Sequence, residues 1–118
     1  MDTYKAGLSG QDAAENLLIK KGYKVLARNY RIRTGEIDLI IKDGTYIVFV
    51  EVKYRTGTGY GLPREAVYRL KQRRILNTAQ HYLARYGLID SDIRFDVVEV
   101  LNQHGQLYAS HIENAFTA

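Results

Sequence analysis

The chain contains no cysteine, only one proline, and no apolar run long enough to cross a bilayer. Without thiols it can form neither a disulfide nor a thiolate-bound zinc site. Its N-terminus lacks the apolar core of a signal peptide, so a cytoplasmic protein with no membrane association is expected. The three histidines, His81, His104 and His111, lack a close zinc-ligand spacing and match no nucleophile motif, so they read as surface or hydrogen-bonded residues. Gly57, Gly59 and Gly61 are not followed by Gly-Lys-Ser/Thr, which excludes a Walker phosphate loop. Repeats, low-complexity tracts and linkers are also missing, and 118 residues suit one domain spanning 1–118.

What the chain does have is charge where charge is costly. Two adjoining apolar runs, Gly35-Glu36-Ile37-Asp38-Leu39-Ile40-Ile41 and Ile47-Val48-Phe49-Val50-Glu51-Val52-Lys53, read as buried strands. An ionised group inside such a run needs a partner or a metal. Between the runs lies Asp43-Gly44, a strong signal for a two-residue hairpin turn. That turn sets Lys42 opposite Thr45, Ile40 opposite Ile47, Asp38 opposite Phe49 and Glu36 opposite Glu51. Alternation then gathers Glu36, Asp38, Glu51 and Lys53 on one face, while Ile37, Leu39, Ile41, Val48, Val50 and Val52 fill the other.

Carboxylates this close repel one another unless a divalent cation neutralises them. Magnesium, or manganese in its place, suits the set, because it takes oxygen ligands and commonly only one or two protein carboxylates. Asp38 and Glu51 are the expected ligands, with the backbone carbonyl of Val52 as a third and Glu36 as a further candidate. Lys53 emerges on the same face, where it can orient or deprotonate water, or steady charge on a phosphate. These are the parts that phosphodiester hydrolysis requires.

An acid on one strand followed by Glu-x-Lys on the next resembles the PD-(D/E)xK nuclease motif, with Asp38, Glu51 and Lys53 at its three positions. The likeness extends to the YraN-like bacterial proteins, a group similar to archaeal Holliday-junction resolvases. It is carried by Gly10, Ala14-Glu15, Gly22-Tyr23, Arg28-Asn29, Gly35 to Ile40, Phe49 to Lys53, Arg55, Lys71, Arg94 to Val98 and Asn114-Ala115-Phe116. The resemblance implies a restriction-endonuclease-like fold, with Glu15 on the first helix as an added acidic member of the site. Where the motif usually has proline before its first acid, this chain has Ile37, as the YraN-like variant does.

The coarse element order reads αβββαββ, an α/β mixed sheet flanked by helices. Ser9 is placed to cap a helix through Lys21 whose Ala13, Ala14, Leu17 and Leu18 form an apolar stripe, with Glu15 at its edge and Gly22 as the stop. A strand over 23–33 precedes the hairpin. Pro63 marks the start of a second helix running to Tyr86, with a kink or break expected near Lys71, where the apolar face changes direction. Strands follow over 94–101 and 107–112, and the helical crossover implies parallel pairing. The glycine-rich segment 54–62 reads equally as a substrate clamp or lid, with Tyr60 the residue to watch, and as a plain connection. Asp96 reads as a structural partner for a neighbouring arginine.

The formal charge of +4 favours polyanionic partners. Lys71, Arg73 and Arg74 on the second helix, together with Arg55, are the candidate nucleic-acid contacts, and Arg28, Arg31 and Arg33 on the first strand add to them. Three classes of function compete: a metal-dependent nuclease acting on DNA, including branched or junction DNA; a non-catalytic nucleic-acid-binding module on the same fold; and a structural protein with a buried ion-pair network. A nuclease cutting both strands of a symmetric junction would gain from being a homodimer.

Overall fold

Strand β1 (Asp2–Tyr4) precedes helix α1 (Gly10–Lys20), and strands β2 (Lys24–Ile32), β3 (Gly35–Asp43) and β4 (Tyr46–Thr56) follow; helix α2 (Glu65–Arg85) leads to β5 (Asp92–Gln103) and β6 (Gln106–Phe116). The computed structural model describes residues 2–4, 9–56 and 65–116, and side chains within 9–55 and 69–116. Pro63, Tyr60 and the glycines at 57, 59 and 61 lie outside the described residues. The strands form one sheet in the order β1-β6-β5-β4-β3-β2. β4 and β5 run parallel and every other pair is antiparallel. The α/β mixed sheet and its element order agree with the sequence, except that β1 adds three residues too short to carry a periodicity.

Ser9 caps α1 by accepting the Asp12 amide at 3.0 Å, and the buried stripe is Ala13, Ala14, Leu17 and Leu18, as the spacing predicts. That stripe packs on Leu39, Ile41, Val48, Val50, Val98 and Val100, one face of the central strands. The opposite face presents Ile40, Ile47, Phe49, Phe95 and Val97 to Ile75, Ala79, Tyr82 and Leu83 of α2. Each such buried aliphatic or aromatic side chain contributes about 1.5–3 kcal/mol, so the two layers hold the sheet from both sides.

The hairpin between β3 and β4 differs from expectation. Asp43 pairs with Tyr46, so Gly44 and Thr45 form the turn and the register moves by two residues, to Ile40↔Phe49 and Leu39↔Val50. Gly44 takes φ +59° at the first central position, where a type II′ turn requires glycine. A two-residue shift preserves parity along the paired residues, but Glu36 is no longer opposite Glu51.

A second difference lies next to Asp38. Tyr30 and Ile37 are directly opposed and both belong to the layer under α2, whereas Leu39, two residues along, belongs to the layer under α1. Strict alternation would place Ile37 beside Leu39, as the sequence suggests. Both strands instead rotate between these pairs, at Asn29 and Asp38. Asn29 has φ +50°, a left-handed conformation that asparagine tolerates and that carries the extra turn.

Helix α2 is continuous through Lys71 rather than broken there. The apparent change of apolar face comes from Leu70, which is 49% exposed and so does not belong to the core stripe. The helix ends at Arg85, and Gly87 follows with φ +68°. Gly35 lets the start of β3 lie directly on α2: a Cβ at that position would collide with the Thr78 hydroxyl and meet the Arg74 carbonyl at 3.0 Å. Asn77 adds a 3.0 Å hydrogen bond to the Thr34 hydroxyl, which ties the β2–β3 turn to the helix.

Candidate active site

The ladder between β3 and β4 extends from Asp43↔Tyr46 to Leu39↔Val50 and no further. Beyond it the Asp38 carboxylate takes the place of strand pairing, because its Oδ2 accepts the Val52 amide at 2.8 Å. The same residue is held from the other layer, where Gln11 donates to the Asp38 carbonyl at 3.3 Å while exchanging amide hydrogen bonds of 2.9 and 3.1 Å with Asn29. Gln11 thus clamps both strands where they rotate. Nothing in the sequence marks this role, since a glutamine in a first helical turn carries no signal until the helix is docked.

Where the strands part, a cavity of about 670 Å³ opens. Its acidic side chains are Glu36, Asp38 and Glu51, and its basic ones are Arg31, Arg33, Lys71 and Arg74. The β2–β3 turn supplies one wall and α2 another, so the Gly35 contact that docks the helix also shapes the cleft. Leu70, exposed for a leucine, lies on the α2 wall.

The two principal acids differ in their surroundings. Asp38 is held above the ordinary aspartate range, chiefly by burial and further by the Glu51 and Glu36 charges, against the opposing Val52 amide and Lys71. Glu51 is 2% exposed at its side chain and forms an ion pair with Lys71. Among the described residues, though, neither of its carboxylate oxygens receives a directed hydrogen bond. A buried carboxylate held by one half-exposed ammonium and no directed donor is costly, and a cation seated between its oxygens would relieve the cost.

Glu36 lines the cleft but accepts from Arg31 at 2.9 and 3.2 Å. Lys53 is partly buried outside the cleft lining; burial foremost lowers its ammonium below the ordinary lysine range, with Arg55 and Lys71 adding to the effect and Glu51 opposing it. The Val52 peptide engages Asp38 through its N–H.

Other expected members lie elsewhere. Glu15 is engaged by Arg28 in a bidentate pair of 2.6 and 2.7 Å and does not line the cavity, because that stretch of β2 faces α1. Arg55 pairs with Glu99 at 3.2 Å. Of the α2 candidates, Lys71 and Arg74 line the cleft, whereas Arg73 is exposed outside it. Among the described residues no three His, Cys, Asp or Glu side chains converge into a preformed metal cage. Asp38 and Glu51 thus offer a two-carboxylate site, within the number magnesium commonly takes from a protein.

A second buried acid serves as an internal contrast. Asp96 is fully buried and accepts from Arg94 at 2.9 and 3.0 Å, from the Asn114 amide at 2.9 Å, and pairs with His111 Nε2 at 2.6 Å. Burial alone would raise it, but His111, Arg94 and the Asn114 amide together hold it below the ordinary aspartate range. Asn114, like Asn29, is left-handed, at φ +52°. This is the structural partnership with a neighbouring arginine that the sequence suggests for Asp96.

Fold and cleft define an α/β domain in which the buried Glu51 and the half-buried Asp38 sit at the parting of two strands beneath a basic rim. The chain belongs to the uncharacterised protein family UPF0102, whose model it matches over residues 10–100. It is 50% identical over 115 residues to the UPF0102 protein of Symbiobacterium thermophilum, covering 97% of this chain and 98% of that one. The UPF0102 protein of Lachnoclostridium phytofermentans is 50% identical over 113 residues, covering 95% and 92% of the two chains. That of Persephonella marina is 40% identical over 116 residues, covering 98% and 97%. No helix among the described residues is long and apolar enough to cross a membrane.

Proposed function

We propose that this protein is a metal-dependent nuclease that hydrolyses phosphodiester bonds in DNA, branched or junction DNA included. The observation that carries the reading is the Glu51 carboxylate, buried without a directed hydrogen bond beside Asp38 in a cleft rimmed by arginines. A carboxylate kept only to stabilise the fold would be dressed as Asp96 is.

Asp38 and Glu51 are the residues that would hold the ion. When bound, magnesium or manganese supplies Lewis-acid stabilisation of the phosphoryl group and a more acidic water. The Val52 amide fixes the orientation of Asp38. Arg33, Arg74 and the Arg31–Glu36 pair set a field that holds phosphate groups at the mouth of the cleft. Lys53, on the Glu51 side of the sheet, orients the attacking water or takes its proton.

The test offers the full chain duplex, single-stranded, flapped and four-way-junction DNA, and RNA, each with magnesium, with manganese and with chelator. Cleavage of at least one DNA form, dependent on metal, is expected. Lys53→Ala should retain binding and lose roughly two to four orders of magnitude in cleavage rate. Binding without cleavage of any member under either metal would replace the nuclease by a non-catalytic nucleic-acid-binding module.

A further inference from the structure

The cation that neutralises Glu51 is carried by a side chain half in solvent. The Lys71 ammonium lies against Glu51 Oε1, with 56% of the lysine side chain exposed and 2% of the glutamate's. This contact is a charge contact and not a directed hydrogen bond, so the oxygen lone pairs are not committed to fixed donors. Asp96, in the same sheet, has both oxygens occupied by directed donors. Helix α2 cannot easily withdraw, since Gly35, Thr78 and the Asn77–Thr34 bond fix it to the β2–β3 turn. The mobile part is therefore the four-carbon lysine stem, anchored on the cleft wall one turn from Arg74 and beside Leu70.

We propose that Lys71 is a stand-in for the divalent cation: its ammonium holds Glu51 in the metal-free protein, yields that carboxylate when the cation enters, and then turns to a phosphate of the polyanion. This rests on the metal-dependent reading of the cleft. Lys71 and the metal compete for one carboxylate, so removing the lysine tightens metal binding. Metal and polyanion also become coupled through Lys71, since the ion supplies the site with charge while redirecting the ammonium outward. By linkage the coupling is reciprocal. The same exchange makes Lys71, rather than Arg73, the α2 residue whose phosphate contact depends on metal.

Calorimetric titration of manganese chloride into the full chain tests this, with circular dichroism and the metal-free melting temperature confirming that each variant folds. Lys71→Met should bind manganese about five-fold or more tightly than wild type, a coupling of ordinary size. Lys71→Arg, whose fork grips a carboxylate better, should bind it more weakly than wild type. Glu51→Gln should remove the difference between lysine and methionine at position 71. Manganese should also strengthen binding of a phosphorothioate strand more in wild type than in Lys71→Met. A purely structural lysine would give the opposite order, with methionine weakest and arginine restoring affinity, and that order overturns the proposal while leaving the metal site intact. If Lys71→Met does not fold, a Lys71→Arg affinity equal to or above wild type overturns it equally. Absence of manganese binding in wild type and every variant overturns both this inference and the metal-dependent reading beneath it.

Discussion

Two aspartates show how the same side chain is made to do opposite work. Asp38 is raised above its ordinary range, first by burial, so its ionised form costs stability at neutral pH; the cost appears as pH rises above about 3.8 and is absent below it. Asp96 is depressed despite burial, so its ionised form contributes stability that is present above about 3.8 and is lost as pH falls through its lower folded value. Asp38→Asn should therefore raise the melting temperature of the metal-free protein at pH 7. Asp96→Asn should lower stability by about 3–5 kcal/mol, because Arg94 loses its buried partner. For a chain of this size each kcal/mol is worth roughly 4 °C, and both differences should shrink towards pH 3. Melting curves at pH 3 and pH 7 check the signs; a lowered melting temperature for Asp38→Asn at pH 7 would show that Asp38 supports the fold instead of serving a ligand.

Asp38, Glu51 and Lys53 stand out in the sequence because charge inside an apolar run is expensive and has few explanations; Asp38 and Glu51 line the cleft, whereas Lys53 does not. Glu15, expected in the site from the resemblance alone, answers instead to Arg28 across the α1 layer, a contact that depends on how helix and strand dock. Gln11 and Lys71 show the converse. Their roles arise from side chains reaching across elements, and nothing local marks a glutamine or a lysine as a clamp or a counter-charge.

At the scale of elements, helix α1 was read almost to the residue, since its cap and apolar stripe are local properties. The hairpin sequence predicts the faces of Leu39, Ile41, Val48 and Val50 but not that of Ile37, and it predicts the wrong register, because Asp43-Gly44 and Gly44-Thr45 are both two-residue turns and only the φ of Gly44 at the first central position separates them. The rotation at Asn29 and Asp38 had no sequence signal beyond an asparagine. The sequence pattern of helix α2 suggests a break only if Leu70 belongs to the core, whereas Leu70 lines the cleft.

The docking of α2 rests on the missing side chain of Gly35. Gly35→Ala should push the helix away from the β2–β3 turn, costing about 1–3 kcal/mol, as overpacking does, and weakening polyanion binding with it. Unchanged stability and binding would mean that the helix does not need this contact. The helix also contains its own control for nucleic-acid binding, with Arg74 on the cleft and Arg73 outside it. Arg74→Ala should reduce the log–log salt slope for duplex DNA by about 0.9 per lost phosphate contact, whereas Arg73→Ala should leave it unchanged. Equal effects from the two arginines would move the binding surface off the cleft.

Across the whole molecule, the sheet has a polar, fully satisfied network at Asp96 and a charged cleft at Asp38 and Glu51 where, among the described residues, no directed hydrogen bond reaches the Glu51 oxygens. The first fastens β5 to β6; the second opens where β3 leaves β4. The β3–β4 ladder ends at Leu39↔Val50, and at that parting the chain puts Asp38 and Glu51. The central claim is that this pair receives a divalent cation. Crystals soaked in manganese and measured for anomalous scattering test it directly: a peak within reach of both the Asp38 and Glu51 carboxylates, lost in Glu51→Gln, is the predicted result, and a wild-type map with no peak there would contradict it.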